Sequence, residues 1–252
     1  MTKRIIPCLL LRNNGLVKTI KFRESVYIGD PINAVRIFNE KEADELLFLD
    51  IDATREGREP SMKIISNIAE ECFMPFSYGG GISTLEHIGE ILKAGAEKIV
   101  INSRAFTDKE FIRNAATRFG SSTIVVSIDV KKRITGKKSV HINGGRNDTG
   151  KDPAEYAAEM ERSGAGEIII NSIDRDGTMS GYDIDLVRSV SEAVSIPVIA
   201  CGGAGTVHDL RKAITEGKAS AAAAGSLFVF HGRRKAVLIT YPTAGEISEI
   251  LK

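Results

Sequence analysis

Three pairs of segments decide how this chain is read: FLDIDATREG (48–57) with INSIDRDGT (170–178), YGGGIS (78–83) with CGGAGT (201–206), and INSRAF (101–106) with AGSLF (224–228). Each pair is offset by 122 or 123 residues, about half of the 252-residue chain. Three matches on one period identify an internal duplication. Around them lie eight short apolar runs: RIIPCLLL (4–11), ELLFLDI (45–51), MPFSYGG (74–80), KIVIN (98–102), TIVVSIDV (123–130), EIIINSI (167–173), IPVIACGG (196–203) and SAAAAGSLF (220–228). The runs are continuous rather than alternating, as expected of parallel strands covered on both faces. Between them, apolar residues recur at helical spacing. Met62, Ile64, Ile65, Ile68 and Ala69 share a face in 60–72, as do Ile184, Leu186, Val187, Val190 and Val194 in 184–194. Eight strands alternating with helices predict an α/β fold, a (β/α)8 TIM barrel with a two-fold half-barrel repeat. The reading is one barrel domain over 1–252, with half-barrels of about 1–120 and 121–252. A doubly wound open sheet is the alternative, but it rarely needs eight evenly spaced units.

Composition narrows the classes further. Lys and Arg number 34 against 33 Asp and Glu, so a net charge of +1 leaves no footprint for nucleic acid. With 42% hydrophobic residues and balanced charge, the chain is not a disordered one. Cys8, Cys72 and Cys201 are too few and too widely spaced for a disulfide framework or a zinc site. No metal and no redox cofactor is expected; Cys8 and Cys201 read as core residues of strands. No segment approaches the roughly 18 apolar residues of a membrane span. The expectation is a soluble protein of the reducing cytoplasm.

In such a barrel the C-terminal strand ends and the loops beyond them form the active face. The glycines gather there: Gly79–Gly81 after the third strand, and Gly202, Gly203 and Gly205 after the seventh. Glycine lets backbone approach a ligand, and N–H groups near a helix start bind phosphate. Gly-rich turns also solve tight connections without any ligand. Two such turns related by the repeat, followed by Asn102-Ser103 and Gly225-Ser226, point to a ligand with a phosphate at each end. Asp129 ends the apolar strand VVSIDV, where an acid is expensive to bury and reads as catalytic or ligand-binding. Asp50 and Asp52 close the second strand, and Asp174 and Asp176 the sixth; about half of these read as caps or loop braces. The repeat supplies a comparison: the partner of Asp129 should lie about 120 residues earlier, in PCLLLRNNG (7–15) near Leu10.

The segments GGGIS, INSRA, VVSIDVKK, SIDRDGTMSGYD and GGAGT, in this order, resemble HisF over about residues 3–230. HisF is the cyclase subunit of imidazole glycerol phosphate synthase. The related HisA family shares the repeat but matches SIDRDGTMSGYD less well. The resemblance implies an enzyme that takes ammonia from a class I glutaminase subunit, HisH. It closes an imidazole ring on a ribulosyl aminoimidazole-carboxamide nucleotide (PRFAR), using two aspartates as acid and base. One corresponds to Asp129; the other corresponds to Leu10, because PCLLL stands where the family reads ACLDV. Leucine cannot move a proton, so ordinary cyclisation would require Asp50 or Asp52 to substitute. The resemblance assigns Gly81, Asn102 and Ser103 to one phosphate, and Asp176, Gly177, Gly203, Gly225 and Ser226 to the other. Lys18 and Phe22 match a mobile first loop that covers the substrate, and Asp50 joins the substrate side. A ring of Arg4, Glu45, Lys98 and Glu167 matches the gate that admits ammonia at the N-terminal face. By itself such a ring reads equally as a salt-bridged barrel floor.

Keeping the intake end while losing one acid resembles HisF-like paralogues associated with surface-polysaccharide (O-antigen, lipopolysaccharide) synthesis. Those pairs are thought to supply ammonia to a separate sugar amidotransferase. The C-terminal text AVLITYPTAGEISEIL also resembles that group. Three functions therefore stand in comparison: an ammonia-handling subunit for sugar amidation, an authentic cyclase of histidine biosynthesis, and a non-catalytic scaffold that conducts ammonia.

Overall fold

The computed structural model describes residues 3–232 and 234–251. Eight parallel strands form the barrel: β1 (Arg4–Arg12), β2 (Leu46–Asp50), β3 (Phe76–Gly79), β4 (Lys98–Ile101), β5 (Ile124–Lys132), β6 (Glu167–Ser172), β7 (Val198–Cys201) and β8 (Ala221–Ala224). Each pairs with the next, and β8 closes on β1 with Arg4 opposite Ala221. The fold is the expected (β/α)8 barrel. Helices lie outside: α1 (Pro31–Glu40), α2 (Met62–Glu71), α3 (Leu85–Lys93), α4 (Lys109–Phe119), α5 (Pro153–Arg162), α6 (Ile184–Ala193) and α7 (Val207–Thr215), with α8 (Ala244–Leu251) following the last strand.

Side chains of a strand alternate between its two faces. On β1, Ile5, Leu9 and Leu11 pack outward under the helices, while Ile6, Cys8 and Leu10 point into the barrel. On β5, Ile124, Val126, Ile128 and Val130 pack outward and Val125 inward. This double burial is why the strands read as unbroken apolar runs. The helices bury one stripe each: Ala34, Val35 and Phe38 from α1, and Leu186, Val187 and Val190 from α6. Their starts are fixed by side-chain caps, and these too recur at the repeat spacing. Asp30 and Asp152 cap helices that open with Pro31 and Pro153, and Thr84 and Thr206 cap the helices beyond the two Gly-rich turns.

Three features differ from the sequence expectations. The run 220–228 is not all strand: β8 stops at Ala224, and Ser226–Val229 is a helical turn. A short apolar run does not by itself distinguish strand from helix. Next, β1 and β5 each continue into an antiparallel excursion on the C-terminal face. The first pairs Gly15–Thr19 with Ser25–Gly29, and the second pairs Lys138–Ile142 with β5. Finally, the segment after β8 returns to the opposite end of the barrel. The Tyr241 hydroxyl donates to Ile5 O at 2.8 Å and accepts from Asp44 N at 3.3 Å, with its ring against Phe38 and Phe228. Among the described residues no helix is long and apolar enough to cross a membrane.

The outward core sets stability. Phe48 is fully buried and meets the Phe76 ring edge-on, centroids 6.1 Å apart. Phe48→Ala is expected to cost ~3–5 kcal/mol, read as a lowered urea midpoint.

Candidate active site

The inward side chains form three storeys, because each strand contributes every second residue. The lowest is charged. Arg4 opens β1, Lys98 opens β4, Glu167 opens β6, and Glu45 immediately precedes β2. Arg4 bridges Glu45 and Glu167, and Lys98 reaches Glu167 at 2.7 Å and Glu45 at 3.7 Å. The two glutamates are buried, at 5% and 3% exposure, and Ser77 donates to Glu45 at 2.9 Å. Burial alone would lower the Arg4 pKa, but Glu167 and Glu45 outweigh it and hold the guanidinium charged. All four expected residues therefore form one alternating ring.

Above the ring lies an apolar storey that includes Ile6, Leu47, Val125, Ile169 and Ile199. Above that, at the C-terminal strand ends, opens a cavity of about 520 Å³. It is lined by Lys18, Asp50, Gly81, Asn102, Ser103, Asp129, Asp176, Gly177, Gly203, Gly225 and Ser226, so every nominated ligand residue meets in one place. The Gly-rich turns come as close as backbone allows. Gly81 has φ +71° and a Cβ there would lie 2.5 Å from Arg58 O; Gly203 has φ +118° and would meet Gly181 O at 2.3 Å. Asn102-Ser103 and Gly225-Ser226 lie one step beyond β4 and β8, where single helical turns begin.

Asp129 is the central acid. Asn171 Nδ2 donates to its Oδ1 at 3.2 Å and Asn102 Nδ2 to its Oδ2 at 3.1 Å. Burial, with a smaller contribution from the Asp176 charge, overrides these hydrogen bonds and pushes Asp129 up to about 7. The Asn102 side-chain Oδ1 accepts from Ser103 Oγ, whereas Asn171 Oδ1 is buried without a partner. Asp174 and Asp176 lie in the turn beyond β6, which ends at Ser172. Asp176 ties down the first excursion: Lys18 Nζ lies 3.3 Å from Oδ1, Thr19 Oγ1 donates to Oδ2 at 2.7 Å, and Lys21 N donates to its carbonyl. Burial works against the Lys18 charge, and the Asp176 carboxylate raises its pKa nonetheless. Lys18 is thus an inward wall residue at 7% exposure, not a residue of the loop tip. Cys8 and Cys201 also line the cavity.

On the opposite wall Leu10 sits beside Leu49, its neighbour on β2, both facing the cavity. The two nearby acids are both paired with arginines. Asp50 receives Arg58 on both oxygens, at 3.1 and 3.3 Å, and caps Ala53 N. Asp52 is held by Arg12 at 2.6 and 3.2 Å and by Arg55 at 2.9 Å. Both acids beside Leu10 are therefore held in ion pairs with arginines. Asp50 lines the cavity while paired with Arg58.

Sequence reading misses Asn171, Arg12 and Arg58. Asn171 has a usable signal: it shares strand parity with Glu167 and Ile169, so it must point inward. The arginines have none, because Arg12 finds its partner Asp52 beyond the neighbouring strand and Arg58 finds Asp50 only when their shared loop folds back. Among the described residues no group of three or more His, Cys, Asp or Glu could hold a metal.

The barrel and its cavity define the class, and comparison with known proteins defines the family. The chain belongs to the histidine biosynthesis protein family, which matches residues 4–234, and within it to the HisF group. It is 53% identical over 245 residues to a Pseudomonas aeruginosa protein named "Putative imidazole glycerol phosphate synthase subunit hisF2", covering 97% of this chain and 98% of that one. A Vibrio vulnificus relative with the same description, hisF3, is 49% identical over 254 residues, covering 100% and 97%. One from Leptospira interrogans, HisF, is 49% identical over 240 residues, covering 95% and 94%.

The Asp129 environment has a consequence for stability. Folded, it keeps its proton to about pH 7; unfolded, it ionises near ~4. Between these values the native state holds a proton that the unfolded chain lacks, so stability falls as pH rises. Asp129→Asn is expected to remove that fall. The measurement is the wild-type minus variant difference in urea unfolding at pH 4.5 and pH 8. The expected contrast is a few kcal/mol, taking ~1.4 kcal/mol for each tenfold change in proton affinity.

Proposed function

We propose that this chain is the ammonia-receiving barrel of a glutamine amidotransferase, and that it passes ammonia on for amidation of a surface-polysaccharide sugar rather than closing an imidazole ring itself. The observation that carries this reading is Leu10, an apolar side chain at the inward top of β1. A positioned acid or base is worth roughly 10²–10⁴-fold in rate, and Asp50 and Asp52 are engaged by Arg58, Arg12 and Arg55. Ring closure that needs a carboxyl unpaired with a cation on both walls finds one on the Asp129 wall only.

The intake end supports the same reading. A class I glutaminase of the HisH type would dock on the N-terminal face, over the ring of Arg4, Glu45, Lys98 and Glu167. Ammonia crosses that ring only where an ion pair opens, and it then meets the apolar storey, which a neutral molecule enters at less cost than an ion. The cavity would bind a PRFAR-like bis-phosphate through Gly81, Asn102 and Ser103 at one end, and Asp176, Gly177, Gly203, Gly225 and Ser226 at the other. Lys18 supplies a buried positive charge beside the second set. The three free cysteines fit a cytoplasmic setting.

A second reading is imidazole glycerol phosphate synthase proper, in histidine biosynthesis. It is favoured by Asp129, whose pKa near 7 suits proton transfer at neutral pH. One assay separates the two: imidazole glycerol phosphate formation from PRFAR under saturating ammonium, by wild type and Leu10→Asp. The expected result is no wild-type turnover and activity gained in the variant. Robust wild-type turnover overturns the ammonia-supply reading in favour of the cyclase.

A further inference from the structure

Six cationic side chains line the cavity: Arg12, Lys18, Arg55, Arg58, Arg104 and Arg146. All but the last already face a carboxylate. Arg12 and Arg55 hold Asp52, Arg58 holds Asp50, and Lys18 holds Asp176. Arg104 holds Asp108 at 2.8 Å and lies over the Phe111 ring. Arg146 lines the same cavity but has no acidic partner among the described residues. An arginine that only braced its hairpin would be answered from within it, as Arg133 is by Asp148.

The loop that carries Arg146 is fixed at one end of the cavity. Ile142 pairs with Asn147, so residues 143–146 close a hairpin of the second excursion. Asn143, Gly144 and Gly145 follow one another in the left-handed region, at φ +55°, +63° and +78°. Most side chains resist that conformation, whereas Asn and Gly accept it. The Asn143 amide donates to Ser103 Oγ at 2.9 Å, which ties the loop to a nominated phosphate residue. A Cβ on Gly145 would lie 2.9 Å from Ile173 Cδ1 and 3.1 Å from the Phe22 ring. The loop is therefore wedged between the turn beyond β6 and the first excursion, and its arginine is uncommitted.

We propose that Arg146 is the counter-charge for a phosphomonoester dianion bound at Gly81, Asn102 and Ser103. The proposal rests on the bis-phosphate reading of the cavity and adds the cation that this end of it lacks. The two ends differ in what they offer. The end formed by Gly203 and Ser226 has the Lys18 ammonium, buried beside Asp176. The other end offers amides and a hydroxyl, which are dipoles only, and Arg104 there is committed to Asp108. A dianion taken out of water without a cation is costly. An arginine fork meets two phosphate oxygens with parallel N–H donors. Arg58, whose carbonyl lies against Gly81, could turn to a phosphate only by leaving Asp50 and Glu56. Arg146 would give up water alone.

The test uses the full chain and two probes. Binding of PRFAR, a bis-phosphate, is measured by calorimetry for wild type, Arg146→Gln and Arg146→Lys. Crystals of wild type and Arg146→Gln are soaked in inorganic phosphate to show which ends are filled. Arg146→Gln is expected to weaken PRFAR about tenfold to a hundredfold, the range for a charge-assisted hydrogen bond. Arg146→Lys is expected to recover part of that loss, since it restores the charge without the fork. In the soaks, wild type should hold phosphate at both ends, and Arg146→Gln only beside Ser226. Wild-type PRFAR affinity in Arg146→Gln overturns the assignment and leaves the bis-phosphate reading standing. So does phosphate beside Ser103 with Arg146 turned away from it. No PRFAR binding by wild type, with no phosphate at either end, overturns both.

Discussion

The register of the parallel ladder is the constraint on which the rest of this protein depends. Eight strands closed into a barrel give every strand an outer and an inner face, and a shift of one residue exchanges the two. In the observed register, Ile5, Leu9, Ile124, Val126 and Ile168 face the helices, and Ile6, Leu10, Val125 and Ile169 face inward. Slip β6 by one place and Glu167 would enter the apolar layer under α5 and α6 without Arg4 or Lys98. An unpaired buried carboxylate costs far more than any one new apolar neighbour returns. The inward charges thus help to enforce the register that positions Asp129 and Asn171 at the top.

The interior follows as a vertical sequence of environments. The charged ring at the bottom is tolerable because each glutamate meets both cations. The middle storey needs no polar partner and offers none. At the top the strands end, backbone amides are released from the ladder, and small residues such as the alanines of β8 leave room for the cavity. Chemistry is confined to the C-terminal end because polar groups there find partners in the loops. Asp129 is the measure of that gradient: even with two amide donors, its burial holds the carboxyl near 7.

Much of this is legible in the sequence, and the remainder is hidden for physical reasons. The eight strands announce themselves because both faces are buried. The duplication fixes which glycines and acids share an end of the barrel, so all the nominated ligand residues converge. The excursions escape a sequence reading because GLVKT and KSVHI mix polar and apolar residues over only five positions, too few for a period to emerge. The Ser226–Val229 turn reads as strand because SLFV is apolar in either conformation. Partnerships such as Arg58 with Asp50 depend on how a loop folds back, and spacing does not encode that. Asn171 is within reach of sequence reasoning, since parity along EIIINS places it inward beside Asp129.

The contrast between the two walls of the cavity is where fold and function separate. The repeat makes positions 10 and 129 counterparts, yet one carries Leu packed with Leu49 and the other an acid held between two asparagines. A second carboxylate on the first wall would add like-charge repulsion across a small, partly dry cavity and push one of the two acids further up. With Leu10 in place, the lift on Asp129 comes chiefly from burial, and Asp176, already paired with Lys18, adds the smaller part. The wall bearing Leu10 therefore presents surface without proton chemistry, while the wall bearing Asp129 keeps a group that changes charge near neutrality. The backbone register, the charged ring and the Gly-rich turns do not depend on which side chain stands at position 10, because each is set by other residues. Persistence of the fold is for that reason a poor guide to persistence of the reaction, and the side chain at position 10 is the better one.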